Sequence, residues 1–210
     1  MSERYLRIDG SGRGDLTAFL GRLLRTDESA VVRVRRRTPD AVEVWGTTGF
    51  GVLVVRVLPG TVAPDSLVAS GGTLHESLRA GDAELDTGYA MDSAWRGALP
   101  PADGFLLVDT VPAAVLRGIA ERGAEMGREV SGPAGPPPSL LASHVLHVDD
   151  GAGLSVDIEL RTAFALEAMG FAGDGADEPV RVRATATWLR LDARFGSLYQ
   201  RAVTGPRLLV

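Results

Sequence analysis

The sequence predicts an α+β fold with mainly antiparallel sheets, a few packed helices and two subdomains. Near the N terminus, three short apolar segments separated by turns have the pattern of a β-meander. Later segments alternate between helical spacing and strand-like stretches. Residues 82–103 show no periodicity and include two adjacent prolines, so we expect a connection there. We therefore expect an N-terminal α+β subdomain over residues 1–90, a connection over 91–103 and a C-terminal α+β subdomain over 104–210.

The N-terminal subdomain is expected to begin with a strand at residues 5–8 and a glycine-rich turn at residues 10–14. Asp15 should then cap a helix with an apolar stripe at 3,4 spacing, formed by Leu16, Phe19, Leu20 and Leu23. Asp15 also places a carboxylate where a phosphate would bind at the helix start. We therefore expect no phosphate site at this turn. The rest of the sequence shows no cofactor motif, and no cofactor is expected.

The meander is expected at residues 31–37, 41–47 and 52–58. A three-residue loop over 38–40 would pair Val34 with Val44 on the buried face. The same register places Arg35 opposite Glu43 on the outer face, where an ion pair would form. After the meander, a capping box that starts at Thr73 predicts a short helix ending at Gly81.

The C-terminal subdomain should open with a strand at residues 105–108, followed by a long helix from about Pro112. That helix contains three glycines, Gly118, Gly123 and Gly127, which predicts that another backbone packs closely against it. A proline-rich hinge at residues 131–139 follows.

The rest of the C-terminal subdomain is expected to contain a hairpin, a helix and three strands. The hairpin is formed by residues 144–148 and 154–160, and the helix over residues 161–169 is closed by a left-handed Gly170. A strand over residues 180–188 should carry a bulge near Trp188, with short strands at 197–201 and 207–210.

Composition excludes several kinds of chemistry. The 210 residues contain no Lys, no Asn and no Cys, so all 22 basic residues are Arg. A lysine Schiff base, a cysteine nucleophile and a thiolate metal site are therefore excluded. The net charge is −5, which opposes a general attraction to nucleic acid. No signal peptide or membrane-spanning stretch is recognised, so we expect a cytoplasmic protein.

Several short segments resemble an uncharacterised protein family of high-GC Gram-positive bacteria. The similar segments are FLGRLLR at residues 19–25, AMGF at 168–171, WLRLD at 188–192 and GSLY at 196–199. The resemblance implies an origin, but that family has no assigned activity, so no functional residue is transferred to this chain.

The densest positive patch in the sequence consists of Arg33, Arg35, Arg36 and Arg37. Because guanidinium groups bind phosphates and stack on bases, one interpretation is a strand face that contacts nucleic acid or a nucleotide. The alternative is an outer sheet face whose arginines pair with neighbouring acids such as Glu43.

His144 and His147 are the only closely spaced histidines, and they lie in the segment HVLHVDD at residues 144–150. On a strand, residues three apart point to opposite faces, so the two imidazoles would not share a metal ion. We expect one inward and one outward histidine.

These observations predict a non-catalytic binding or interaction protein whose ligand is unknown. We expect a homo-oligomer, with a helix at the interface, or a complex with another protein; nucleic acid and membrane partners are not expected. The alternatives are nucleic-acid or nucleotide binding through the arginine face, and an enzyme whose site is not recognised.

Overall fold

The computed structural model describes residues 4–130 and 136–201, apart from the side chains of residues 129 and 130. The fold is α+β with antiparallel pairing, as the sequence predicts. The chain forms two compact units. The first comprises Met1–Gly49 and Leu53–Leu99, and the second comprises Phe50–Val52 and Pro100–Val210. The expected connection at residues 91–103 stays a prediction.

The first unit contains a five-stranded antiparallel arrangement and two packed helices. In chain order the elements are β1 (Tyr5–Ile8), α1 (Gly10–Thr26), β2 (Val31–Thr38), β3 (Ala41–Thr47), β4 (Leu53–Ala63), β5 (Ser66–Ser70) and α2 (Gly71–Ala80). A 3₁₀ turn follows at Asp92–Ala94. Strand β2 pairs with β3 and β5, and β4 pairs with β3 and β1.

The predicted register of β2 and β3 is confirmed. Val34 lies opposite Val44, and Arg35 lies opposite Glu43. The loop is shorter than expected, because Thr38 already pairs with Ala41 and the register shifts between Arg36 and Thr38. The loop thus has two residues, and the third residue expected in it is accommodated by a bulge in β2.

Two expectations about helix starts are wrong. The residues expected to form a glycine-rich turn are the first turns of α1, which begins at Gly10, and Asp15 lies inside the helix. Gly12 suits this position because a Cβ would lie only 3.0 Å from Cδ of Pro59, a crowded contact that glycine avoids. Helix α2 is capped by Ser70, whose hydroxyl accepts the N–H of Thr73, so Thr73 is not the cap.

The described part of the second unit contains a four-stranded antiparallel sheet, a separate hairpin and three helices. The elements are β6 (Leu106–Pro112), α3 (Ala113–Val130), α4 (Pro138–Leu141), β7 (His144–Asp149), β8 (Ser155–Glu159), α5 (Leu160–Met169), β9 (Pro179–Ala184), β10 (Trp188–Ala193) and β11 (Gly196–Arg201). Within this unit the strand order is β11-β10-β9-β6, and β7 pairs with β8. The strand expected at residues 207–210 lies outside the described residues.

The expected strand over residues 180–188 is two strands joined by a turn. Strand β9 ends at Ala184 and β10 begins at Trp188. In the turn, the hydroxyl of Thr185 accepts the N–H groups of Thr187, at 3.3 Å, and Trp188, at 3.1 Å. The change in apolar parity therefore comes from this turn and not from a bulge.

The predicted cap of α5 is confirmed. Gly170 has φ 58° and ψ 34°, and the N–H of Phe171 donates to the carbonyl of Leu166 at 3.2 Å. In the described ranges, none of the helices is long and apolar enough to span a membrane.

Candidate functional site

The helix pair α3–α5 of the second unit carries an open groove with a volume of about 460 Å³. Its floor consists of apolar side chains and small residues from both helices and from the short segment at residues 50–52. The floor residues are Phe50, Ala120, Ala124, Gly127, Phe164 and Ala168. We call this the α3–α5 groove.

The groove exists because small residues line it while larger ones fill the adjoining contact. Beside the groove, Leu160 and Phe164 of α5 pack against Gly123, where a Cβ would lie 2.5 Å from Leu160 Cδ1. Phe50 and Phe164 also contact each other, with ring centroids 5.6 Å apart. By contrast, Ala120 and Ala124 carry only methyl groups, which cannot fill the space above them. Gly123 thus has a close neighbour, but the neighbour consists of side chains, so the expectation of a second backbone there is wrong.

Charged side chains of both signs border the groove. Glu121 and Arg128 of α3 lie seven residues apart, and therefore on nearly the same side of the helix. Glu167 of α5 approaches Arg117, with Nε and Oε2 4.0 Å apart. Arg117 also donates to the carbonyl of Gly173 at 2.7 Å. The border can thus bind a partner that carries charges next to an apolar surface.

The lining of the groove is mainly apolar. Its lining contains neither a histidine nor a hydroxyl group, and its three charged groups are at the border. Within residues 4–130 and 136–201, no group of three or more His, Asp or Glu is arranged to hold a metal ion. An apolar side chain of a partner is the ligand that this chemistry suits.

The four arginines of the predicted patch lie on β2, and most of them contact acceptors of the first unit. Arg33 donates to the hydroxyl of Ser66 at 3.0 Å, and Arg36 contacts Asp65 at 3.1 Å. The ion pair with Glu43 was expected of Arg35 but is formed by Arg37, whose guanidinium lies 3.3 Å from the carboxylate. The bulge in β2 explains this change of partner.

Arg35 differs from its neighbours. Its side chain is exposed and makes no hydrogen bond or ion pair with any residue that the structure describes. Of the four arginines, it is therefore the one whose guanidinium is available to an external anion.

The expected inward and outward arrangement of the two histidines is wrong. Both side chains are exposed, and both reach the same carboxylate of β8. Nδ1 of His147 lies 2.8 Å from Asp157, and Nδ1 of His144 lies 3.5 Å from it. The register shifts between His144 and Leu146, which breaks the alternation on which the expectation depended. Neither histidine lines the α3–α5 groove.

The groove was not predicted from the sequence. Its nearest signal was the set of glycines in the long helix, since Gly127 lies in the floor and Gly123 in the adjoining contact. The contribution of Phe50 has no sequence signal, because this residue reaches the groove from a segment far away in the chain.

Two protein-family models match the chain, and both are described as domains of unknown function. Residues 100–205 match the model described as Domain of unknown function (DUF8185). Residues 1–97 match the model described as Domain of unknown function (DUF8010). A search of the curated proteins found no match.

Comparison with solved structures shows an α+β fold similar to that of bacterial sliding clamps. The β subunit of DNA polymerase from Streptococcus pyogenes is 12% identical, with a TM-score of 0.60, over 97% of this chain and 65% of that chain. The DNA polymerase sliding clamp from Bacillus subtilis is 14% identical, with a TM-score of 0.60, over 98% of this chain and 66% of that chain. The Caulobacter crescentus sliding clamp is 13% identical, with a TM-score of 0.59, over 97% and 66%.

The chain thus spans slightly less than two thirds of the length of these clamps. At such low identity the likeness concerns the fold alone.

Proposed function

The chain belongs to the family described as Domain of unknown function (DUF8185), and we propose that it is a protein-interaction module that binds an apolar segment of a partner in the α3–α5 groove. The observation that carries the proposal is the groove itself: an unfilled apolar floor bordered by charges of both signs. Exposed apolar concavities with a polar border are typical of binding sites.

The fold similarity supports the same function class. The similar structures are described as a subunit or a sliding clamp of DNA polymerase, and therefore as components of a larger assembly. A role in an assembly needs binding surfaces rather than catalytic groups. The groove lining, with its small residues and two aromatic rings, has this character.

Site-specific photocrosslinking tests the proposal. A benzophenone amino acid replaces Ala124, which lines the groove, and in a matched control it replaces Arg122, which is exposed on α3 but does not line it. After irradiation of cells that produce the protein, we expect protein adducts at position 124 and not at 122. Ala168→Trp, which should fill the groove, is expected to abolish the adduct. The absence of adducts at position 124, or equal adducts at both positions, would contradict the proposal.

A second candidate is nucleic-acid binding through the arginine face of β2. It is favoured by the exposed Arg35 and by the description of the similar structures as DNA polymerase components. Fluorescence anisotropy with labelled DNA at several salt concentrations tests it, because phosphate contacts make affinity fall steeply with salt. Arg35→Ala should then weaken binding and reduce the salt slope. Absence of saturable binding at low salt excludes this candidate.

We also propose an origin in high-GC Gram-positive bacteria, a cytoplasmic location and the assembly of the chain as a homo-oligomer. The division at residues 91–103 is a proposal of the same kind.

A further inference from the structure

We infer that the partner in the α3–α5 groove is a second copy of this chain, with its α3 packed antiparallel against the first about a two-fold axis. This inference rests on the proposed binding role of the groove and names its occupant. It is carried by the charge pattern of α3, which is complementary to itself.

The pattern consists of Glu121 and Arg128, which border the groove on the same side of α3. Seven residues of helix separate them by about 10.5 Å along the axis, too far for an ion pair within one helix. Within the described residues, Glu121 has no ion-pair partner, and Arg128 donates only to the carbonyl of Ala124 in its own helix, at 3.3 Å. Two charges of opposite sign therefore lie exposed beside an unfilled apolar floor.

A two-fold axis would pair these charges. In an antiparallel pair of helices, residues on the same edge of each helix face each other, and a two-fold axis exchanges their positions. With the axis between Ala124 and Glu125, Glu121 of one copy lies opposite Arg128 of the partner subunit. The reciprocal pair forms at the other end. Because both copies carry Glu121 and Arg128, these two residues alone give two ion pairs across the axis.

The small residues at the centre of the same face permit this approach. Ala124 lies next to the midpoint between the two charges, and Ala120 and Gly127 lie about one turn away on either side. Small side chains at a helix crossing let the helix axes come close, at the short end of the usual 8–10 Å range. An arrangement with parallel helices would instead place like charges opposite each other.

Sedimentation equilibrium from 1 to 200 µM tests the inference with charge reversals. Glu121→Arg and Arg128→Glu, made singly, each place two pairs of like charges across the axis and should weaken the dimer at least tenfold. The double variant E121R/R128E restores both pairs with their signs exchanged, and its Kd should return to within about threefold of the wild-type value. Because all of these residues are exposed, circular dichroism should show unchanged folding.

Matched controls reverse exposed charges away from this face. Arg122→Glu on α3 and Glu76→Arg on α2 make the same charge changes and should leave the Kd unchanged. A monomer mass of 22.1 kDa over the whole range would overturn the inference. A dimer that does not respond to the single reversals, or that the double variant does not restore, would also overturn it.

The photocrosslinking experiment separates this inference from the proposed function. An adduct of the chain with itself at position 124 supports both. An adduct with a different protein supports the proposed function and overturns the second copy as the occupant. An adduct with nucleic acid, or no adduct, overturns both.

Discussion

The contact between α1 and α2 in the first unit and the contact between α3 and α5 in the second each contain a glycine, but the two glycines have different roles. At Gly21 a Cβ would lie 3.5 Å from Nε2 of His75, an ordinary contact distance. At Gly123 it would lie 2.5 Å from Leu160 and 3.2 Å from Phe164. The α3–α5 contact therefore has no free space for a Cβ at Gly123, whereas the α1–α2 contact has space for one at Gly21. A glycine in a helix contact indicates close packing only when a large side chain lies opposite it.

Removing the large side chain opposite Gly123 should have the largest effect. Leu160 is 1% exposed, so Leu160→Ala should lower the free energy of unfolding by about 2–5 kcal/mol, through lost burial and a cavity. Urea unfolding followed by circular dichroism measures this change. Val115→Ala, at an exposed position of α3, is the control and should cost less than about 1 kcal/mol. Equal effects of the two substitutions would contradict the assigned packing.

Substituting the two glycines should give opposite signs. Gly21→Ala should stabilise the protein by about 1 kcal/mol, because alanine favours the helix and its methyl group fits. For Gly123→Ala the same gain is opposed by overpacking, which typically costs about 1–3 kcal/mol, so we expect a net loss of about 1 kcal/mol. In the L160A background Gly123→Ala should become stabilising, since the methyl group then enters the vacated space. If both glycine substitutions stabilise the wild type, the comparison between the two helix contacts fails.

Those features of the fold that depend on local, periodic patterns could be predicted from the sequence. The alternation in β2 and β3 was enough to predict that Val34 pairs with Val44, although the extra residue lies in a bulge. The left-handed Gly170 was also predictable, because an apolar helix ended there at a glycine.

The errors arose where a tertiary contact determined the local structure. The helix starts at Gly10, and its first turn packs against Pro59 at Gly12, a contact that no helix propensity could indicate. The bulge after His144 changes the side to which this side chain points, and alternation in the sequence cannot reveal it. The groove was missed because a cavity depends on which side chains fail to meet, and because Phe50 reaches it from a segment remote in sequence.

Replacing the glycine at a helix end should have the same effect in both units. The two units would then differ in their helix contacts and not in their helix ends. Helix α2 ends at Gly81 with φ 85°, and α5 ends at Gly170 with φ 58°. Alanine at either position forces a Cβ into the left-handed region, so each substitution should cost about 1 kcal/mol. Urea unfolding of the two variants measures the costs. A cost at Gly170 that exceeds the cost at Gly81 severalfold would show that the units also differ at their helix ends.

The smallest effect concerns the hairpin turns of the two units. Before β8, the backbone N–H groups of Ala152 and Leu154 donate to Asp150 and hold the pKa of its carboxyl below its usual range. In the turn after β2, Asp40 accepts from the hydroxyl of Thr38. Because the folded state lowers the pKa of Asp150, the ionised carboxylate stabilises the fold, and this stabilisation is complete above the ordinary Asp pKa. It is lost as the pH falls through the lowered value.

NMR titration of the amide protons of Ala152 and Leu154 measures this pH dependence. We expect their shifts to change below the pH at which an ordinary Asp titrates, and Asp150→Asn should remove the change. A midpoint at or above the ordinary Asp pKa would contradict the assignment.

The glycines at the start of α1 also determine the order in which that helix assembles. Gly10, Gly12 and Gly14 each disfavour helix by about 1 kcal/mol relative to alanine, so the first turns cannot nucleate by themselves. The stripe from Leu16 to Leu23 is buried and supplies the stability that the glycines lack. We therefore expect α1 to form first at its packed C-terminal half and to extend backwards towards Gly10. Its N-terminal turns are then the last part of the helix to close and the first to open, and hydrogen exchange should be fastest there.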